Sequence, residues 1–263
     1  MRAVERARPA LIINAAAYNA VDLAESAPAA AFAVNAHGPG HLAAAATRWG
    51  ARLIHVSTDY VFDGRQAAPY GEDAPARPLN VYGQSKREGE RAVLQACADA
   101  IVLRTAWLYS EYGSNFVKAL LDRAAGAALR ALPPTDGSAP GGGSPRLPVV
   151  DDQTGSPTYA GDLAQALIGL AALPAVPGGI YHFAGAAILS RYEFAQLVFR
   201  HVRAIERGFA GPAPTPVPSS QYPGAAPRPG YSALSCEKIR GWGIVPSTPD
   251  ENLRRVVQVL WRR

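Results

Sequence analysis

Two stretches decide how this chain reads: Val81-Tyr82-Gly83-Gln84-Ser85-Lys86, and upstream of it Val56-Ser57-Thr58-Asp59-Tyr60. A lysine four residues after a tyrosine lies one turn along the same face of a helix. Free tyrosine titrates near pH ~10, too high for ready proton exchange at neutral pH. A neighbouring ammonium favours the phenolate, so the pattern predicts that Lys86 lowers the Tyr82 pKa. Thr58, at the end of an apolar run, would give the same oxygen a second hydrogen bond. These groups suit carbonyl reduction, in which a proton reaches oxygen as hydride reaches carbon. Alone, the spacing far more often marks an ordinary half-buried tyrosine and a surface lysine, so the flanking residues carry the argument.

Residues 52–57 read as a buried strand ending in Ser57-Thr58-Asp59, and 81–98 as a helix after a loop at 62–80 rich in Gly, Pro and Asp. Upstream, residues 10–16 form a short apolar strand ending in Ala15-Ala16-Ala17, small enough to let a ligand approach the backbone or simply to pack tightly. Residues 29–49 read as one Ala-rich helix with Asn35 in its apolar portion. If buried, that Asn needs a partner and would brace a neighbouring backbone. A third strand at 101–103 leads into Arg104-Thr105-Ala106-Trp107. The alternation implies βαβ crossovers and a doubly wound parallel α/β sheet, with ligands beyond the C-terminal ends of its strands. Further on come a helix at 115–128 and an insertion at about 132–148, rich in Pro, Gly and Ser and expected to be flexible. Structure restarts at Val149, with a helix at 161–172, a strand at 179–184 and a helix at 191–207. A Pro-rich surface stretch at 212–230 and helices at 235–240 and 249–261 complete the chain.

With 263 residues, 48% of them hydrophobic and 18% charged, the composition is that of a globular protein. The formal charge of +5 is spread out, with no basic run interleaved with aromatics, so a nucleic-acid role is not expected. No stretch approaches the ~20 apolar residues of a membrane span. Arg2, Arg6 and Arg8 before Leu11-Ile12-Ile13 mimic a leader peptide, but Asn14 cuts the apolar run short. Cys97 and Cys236 lack metal-ligand spacing and read as reduced cysteines of a cytoplasmic protein. A dinucleotide-binding sheet normally opens with a strand, a Gly-rich turn and a helix. The sequence shows no such opening, and Gly141-Gly142-Gly143, among prolines, is no phosphate loop. The expectation is an N-terminally truncated sheet or an incomplete cofactor site.

The motifs, taken together, resemble the dTDP-4-dehydrorhamnose reductase family, which belongs to the extended short-chain dehydrogenases/reductases. The matching segments include Ile13-Asn14-Ala15-Ala16-Ala17, Ala20-Val21-Asp22, the run from Val56 to Gly64, the run from Pro78 to Lys86 and the run from Leu103 to Tyr109. Asn115-Phe116, Asp152-Gln153 with Gly155, and Arg228-Pro229 with Ser232 continue the match in family order, from about residue 10 to about 255. Asn19 and Ala106 depart mildly from the family pattern.

The resemblance implies an incomplete Rossmann-like NAD(P)-binding domain over residues 1–150 and a smaller α/β substrate-binding domain mainly over 151–263, partly interleaved with it. It implies NADPH-dependent reduction (NADH being the other choice) of the 4-keto group of dTDP-4-dehydro-6-deoxy-L-mannose to dTDP-L-rhamnose. Tyr82 would be the proton donor, Lys86 would tune it and hold the nicotinamide ribose, and Thr58 would hydrogen-bond the sugar carbonyl. Asp59 would lie beside the substrate and Trp107 would pack against the deoxysugar. Ala16, Ala17, Tyr18 and Asn19 would line the cofactor. Alone, Trp107 also suits a core position and Asp59 a helix cap. Mg²⁺ enters by resemblance only, with no metal ligand carried over, and a homodimer stays open. The other reading is an impaired or regulatory protein of the same fold, similar to the regulatory subunit of methionine adenosyltransferase.

Overall fold

The computed structural model describes residues 2–130, 146–209, 211–222 and 224–261. Among these residues the strands, in chain order, are β1 (Leu11–Asn14), β2 (Arg52–Thr58), β3 (Ile101–Thr105), β4 (Leu108–Tyr109), β5 (Arg146–Val150), β6 (Thr154–Gly155), β7 (Thr158–Tyr159), β8 (Gly179–His182), β9 (Leu189–Ser190) and β10 (Ala213–Val217). The α-helices are α1 (Arg2–Ala7), α2 (Val21–Ser26), α3 (Pro28–Phe32), α4 (Gly38–Trp49), α5 (Val81–Ala96), α6 (Phe116–Arg130), α7 (Ala160–Ala172), α8 (Arg191–Ile205), α9 (Glu237–Arg240) and α10 (Pro249–Trp261).

The central sheet has the order β1-β2-β3-β8, and every pairing in it is parallel. All five residues of β3 are buried, as covering both faces of a parallel sheet requires. Helices between the strands supply that cover, giving the α/β architecture expected from the alternation. β8 and α7 lie beyond residue 150, yet β8 completes the sheet and Leu163, Leu167 and Leu170 of α7 join Ile54 and Leu103 in one core cluster. A second cluster joins α6, α8, α10 and β5 through Leu120, Val149, Phe194, Val198 and Val256. Each such side chain, fully buried, contributes ~1.5–3 kcal/mol. Trp107 packs against both clusters.

The helix expected over 29–49 is interrupted. Residues Ala33–His37 form a π-helical turn between α3 and α4. Pro39 has no N–H to give the carbonyl of Asn35, so the turn there widens. Gly89 of α5 comes so close that a Cβ at that position would stand 2.0 Å from the Asn35 carbonyl oxygen. Asn35 is fully buried. Its amide brackets the Tyr18 backbone, accepting from Tyr18 N–H at 2.8 Å and donating to Tyr18 O at 3.0 Å. It also donates to Ser85 Oγ at 3.0 Å, joining the segment after β1 to α5.

The expected insertion at 132–148 needs correction at its end. Residues 146–148 belong to β5, which pairs in parallel with β10, a strand inside the stretch read as Pro-rich surface chain. Residues 132–145 lie outside the described residues. Prolines within both strands masked this ribbon in the sequence. The Val217 carbonyl accepts from Asp151 N–H at 3.0 Å, so odd-numbered residues of β10 face β5. Pro214 and Pro216 therefore turn their missing donors away from the ladder, as does Pro148 on β5, and the pairing survives.

Candidate active site

α5 starts where its sequence says it should. Asn80 is the N-cap and its side chain accepts from Gly83 N–H at 2.7 Å. Its amide also donates to Pro227 O at 2.8 Å, tying the cap to the C-terminal segment. Gly83 permits the first turn to press against the end of β2: a Cβ there would stand 2.2 Å from the Tyr60 carbonyl oxygen. Tyr82 and Lys86, one helical turn apart, thereby reach the C-terminal end of β2, where Thr58 caps a short 3₁₀ turn by accepting from Tyr60 N–H at 3.2 Å.

Thr58, Asp59, Tyr82, Lys86 and Trp107 all line one cavity of about 850 Å³. Of the residues expected on the cofactor side, Ala17 and Asn19 line it, with Ala15 beside them. Ala16 and Tyr18 are not in the lining. The Ala16 N–H donates to Asn14 Oδ1 at 3.2 Å, and Tyr18 is held by Asn35.

The electrostatics differ from what the tyrosine–lysine spacing predicts. Desolvation pushes the Tyr82 phenol well above its ordinary value, and the nearby Asp59 and Tyr60 add to this against the Thr58 hydroxyl, which favours the phenolate. Lys86 is not what sets it. The ammonium is buried, with 2% exposure, and donates to the Val56 carbonyl at 2.7 Å. Burial lowers its pKa from 10.5 to about 8, while the charge of Glu90 opposes that fall. Tyr82 is thus kept protonated, a donor in waiting.

Asp59, 2% exposed, accepts from Thr58 Oγ1 at 3.1 Å through Oδ1. Its Oδ2 has no hydrogen-bond partner among the described residues. Burial raises its pKa from 3.8 to about 6, with Ser232, Thr58 and Arg191 holding it back.

Trp107 has φ of +45°, a left-handed backbone that costs a bulky residue ~1–3 kcal/mol. Gly155 makes room for it, since a Cβ at 155 would stand 2.5 Å from the indole. The guanidinium of Arg191 lies 3.5 Å from the Trp107 ring centroid. The surface this pair offers the cavity is polar as well as aromatic.

Two residues that shape the site have no signal in the motifs. Arg191 is one; Ser190 and Glu193 mark a helix start by their capping box, but nothing in sequence ties Arg191 to Trp107. Glu90 is the other. It pairs with buried Arg104 through two hydrogen bonds, of 2.8 and 2.7 Å, and accepts from Ser57 Oγ at 2.6 Å. Arg104 Nη1 in turn lies 3.3 Å from His182 Nε2, so the network spans β2, β3, α5 and β8. Glu90 follows Lys86 by four residues on the same helix face.

Among the described residues no cluster of three or more His, Cys, Asp or Glu side chains is placed to hold a metal ion. Nor is any helix among them long and apolar enough to cross a membrane.

Known proteins share this fold and sequence. The family model described as RmlD substrate binding domain matches residues 1–131 and 141–261. A dTDP-4-dehydrorhamnose reductase of Mycobacterium tuberculosis is 46% identical over 244 residues, covering 91% of this chain and 72% of its own length. One from Aggregatibacter actinomycetemcomitans is 40% identical over 258 residues, covering 96% of this chain and 82% of its own. Among solved structures, a dTDP-4-dehydrorhamnose reductase from Clostridium acetobutylicum has a TM-score of 0.86 at 32% identity, over 99% of this chain and 84% of that one. The Bacillus anthracis enzyme in complex with NADP has a TM-score of 0.82 at 32% identity, over 97% and 82%. A family match along almost the whole chain, on the fold and motifs described, means that the chain belongs to the dTDP-4-dehydrorhamnose reductase family.

Proposed function

We propose that this protein reduces the 4-keto group of dTDP-4-dehydro-6-deoxy-L-mannose to give dTDP-L-rhamnose, using NADPH. The observation that carries the reading is the meeting of Thr58, Tyr82 and Lys86 in one cavity, with the Thr58 hydroxyl beside the Tyr82 phenol. NADPH, when bound, supplies the hydride. The wall that fits it is made of Ala15, Ala17 and Asn19, whose short side chains leave room near the backbone, and of Lys86, whose ammonium makes one hydrogen bond among the described residues. That leaves ammonium donors for the nicotinamide ribose. NADP in the Bacillus anthracis relative supports this cofactor over NADH.

The chain's own groups manage the proton. The Thr58 hydroxyl, turned from Asp59 to the substrate, and the Tyr82 hydroxyl would converge on the sugar carbonyl oxygen, stabilising the charge that develops there. Tyr82 then gives its proton to that oxygen. The phenolate left behind calls for a cation, and Lys86, one turn along α5 in the same cavity lining, is the cation that would have to draw nearer when cofactor and substrate are bound. General acid catalysis of this kind is worth ~10²–10⁴-fold. The impaired or regulatory alternative is not favoured, because the reacting groups stand together and the relatives bear reductase names. A cytoplasmic site of action is part of the same reading.

The test is direct. The purified chain is mixed with NADPH and the keto-sugar nucleotide, and both NADPH oxidation and dTDP-L-rhamnose are measured. No product under conditions where a relative turns over would defeat the proposal.

A further inference from the structure

Among the described residues Asp59 Oδ2 is a buried oxygen without a hydrogen-bond partner, although its side chain lines the same cavity as Tyr82. Such a group in a folded protein calls for a reason beyond packing. The other oxygen, Oδ1, accepts from Thr58 Oγ1 at 3.1 Å. The Thr58 hydroxyl also lies beside the Tyr82 phenol. The end of β2, the 3₁₀ turn after it and the first turn of α5 therefore set three groups in a row: carboxyl, hydroxyl, phenol.

A hydroxyl in such a row can pass a proton in either direction, because it holds one O–H and two lone pairs. Tyr82 must recover the proton it gives away. Desolvation makes its phenolate a strong base, and the acid joined to it through Thr58 is Asp59. Tyr60 faces Asp59 from its own turn, Tyr82 from α5, Arg191 from α8 and the Ser232 hydroxyl from the C-terminal segment. Burial favours the protonated carboxyl, while Arg191, Ser232 and Thr58 favour the carboxylate. The balance leaves Asp59 titrating at about 6, where an acid can both hold a proton and release it near neutral pH.

We propose that Asp59 is the proton store that refills Tyr82 through the Thr58 hydroxyl after each reduction. The proposal rests on the reductase reading above. As the Tyr82 O–H bond breaks, the O–H bond of the product alcohol forms and a phenolate remains. Thr58 gives its hydroxyl proton to that phenolate and takes the proton of the Asp59 carboxyl. Tyr82 ends neutral, Thr58 ends unchanged and Asp59 ends as a carboxylate. That carboxylate draws a proton from water once the product has left. No electrons move in the relay, and Lys86 serves the phenolate only in the interval.

Refilling follows hydride transfer, so it enters kcat and not kcat/KM. The experiment measures both against pH for wild type, Asp59→Asn and Asp59→Glu, and the rate of a first turnover with protein in excess of substrate. Circular dichroism checks that each variant is folded. Wild-type kcat should fall as pH rises through about 6, with no matching change in kcat/KM. Asp59→Asn should keep its first turnover within about threefold of wild type, lower kcat about 10-fold or more, and lose the change near pH 6. Asp59→Glu, which retains a carboxyl, should restore part of kcat. A second measurement needs no ligand: carbon-13 NMR of the Asp59 carboxyl in the free chain. Thr58→Val removes a donor that favours the carboxylate, so Asp59 should titrate at higher pH than in wild type. An unmoved titration overturns the row of groups. Wild-type kcat in Asp59→Asn overturns the relay, as does a first turnover slowed as much as kcat, which would place the effect of Asp59 at or before hydride transfer. Each of these results leaves the reductase reading in place. A wild type that reduces no keto-sugar where a relative does overturns the reading and the relay together.

Discussion

The ammonium of Lys86 lies 2.7 Å from the carbonyl oxygen of Val56, near the end of the strand that carries Thr58 and leads into Asp59. That bond fixes the lysine between helix and sheet and confines it in a place where charge is costly. Its pKa of about 8 makes the ammonium form dominant only below that pH. Tyr82, pushed the other way, stays protonated throughout. We predict that kcat/KM for ketone reduction falls as pH rises through about 8, reporting Lys86 and not the tyrosine. A rate that holds level well beyond pH 8 would refute this.

Tyr82→Phe should lower kcat by ~10²-fold or more, the usual value of a positioned general acid. Binding of NADPH and of dTDP should change little, since the ring and its edge-to-face contact with Tyr60, centroids 5.7 Å apart, are retained. Stopped-flow turnover and equilibrium titration separate the two. Undiminished turnover would take Tyr82 out of the mechanism.

Asp59 gives a prediction about stability. Its folded pKa of about 6 exceeds its ordinary 3.8, so the folded protein holds a proton that the unfolded chain has released between those values. The contribution is fully present below about pH 4 and is lost as pH rises through about 6, a change of ~2–3 kcal/mol for a shift of this size. Asp59→Asn should flatten that part of the urea-unfolding curve and raise the midpoint at neutral pH. Identical pH slopes for the two proteins would count against a buried, poorly paired carboxylate.

Glu90→Gln should destabilise the fold by ~3–5 kcal/mol, because Arg104 is left charged and buried without its partner. It should also shift the alkaline limb of the pH–rate profile to lower pH, since the charge of Glu90 opposes the fall of the Lys86 pKa. Replacing both partners with methionine should recover much of the stability but not the pH profile. A single variant as stable as wild type would mean the pair is not a structural tie.

The sheet was legible because its strands are short apolar runs ending in polar residues, as in Arg52–Thr58 and Ile101–Thr105. Thr58, Tyr82 and Lys86 could be brought together from sequence because strand end and helix face obey fixed periods. The direction of the Tyr82 shift could not be read, since spacing says who is near and nothing about how much water is excluded. The π turn at Ala33–His37 escaped for a related reason: a change of hydrogen-bond register leaves no mark on composition. Arg191 and Glu90 matter through partners 84 and 14 residues away, Trp107 and Arg104, and no local pattern encodes those meetings.

The prolines of β10 have a further consequence. Every second position of that strand that looks outward from β5, at Pro214 and Pro216, is without a donor. A foreign strand approaching that margin would find acceptors with nothing to give in return, so the two-stranded ribbon is self-limiting and resists recruitment into larger aggregates.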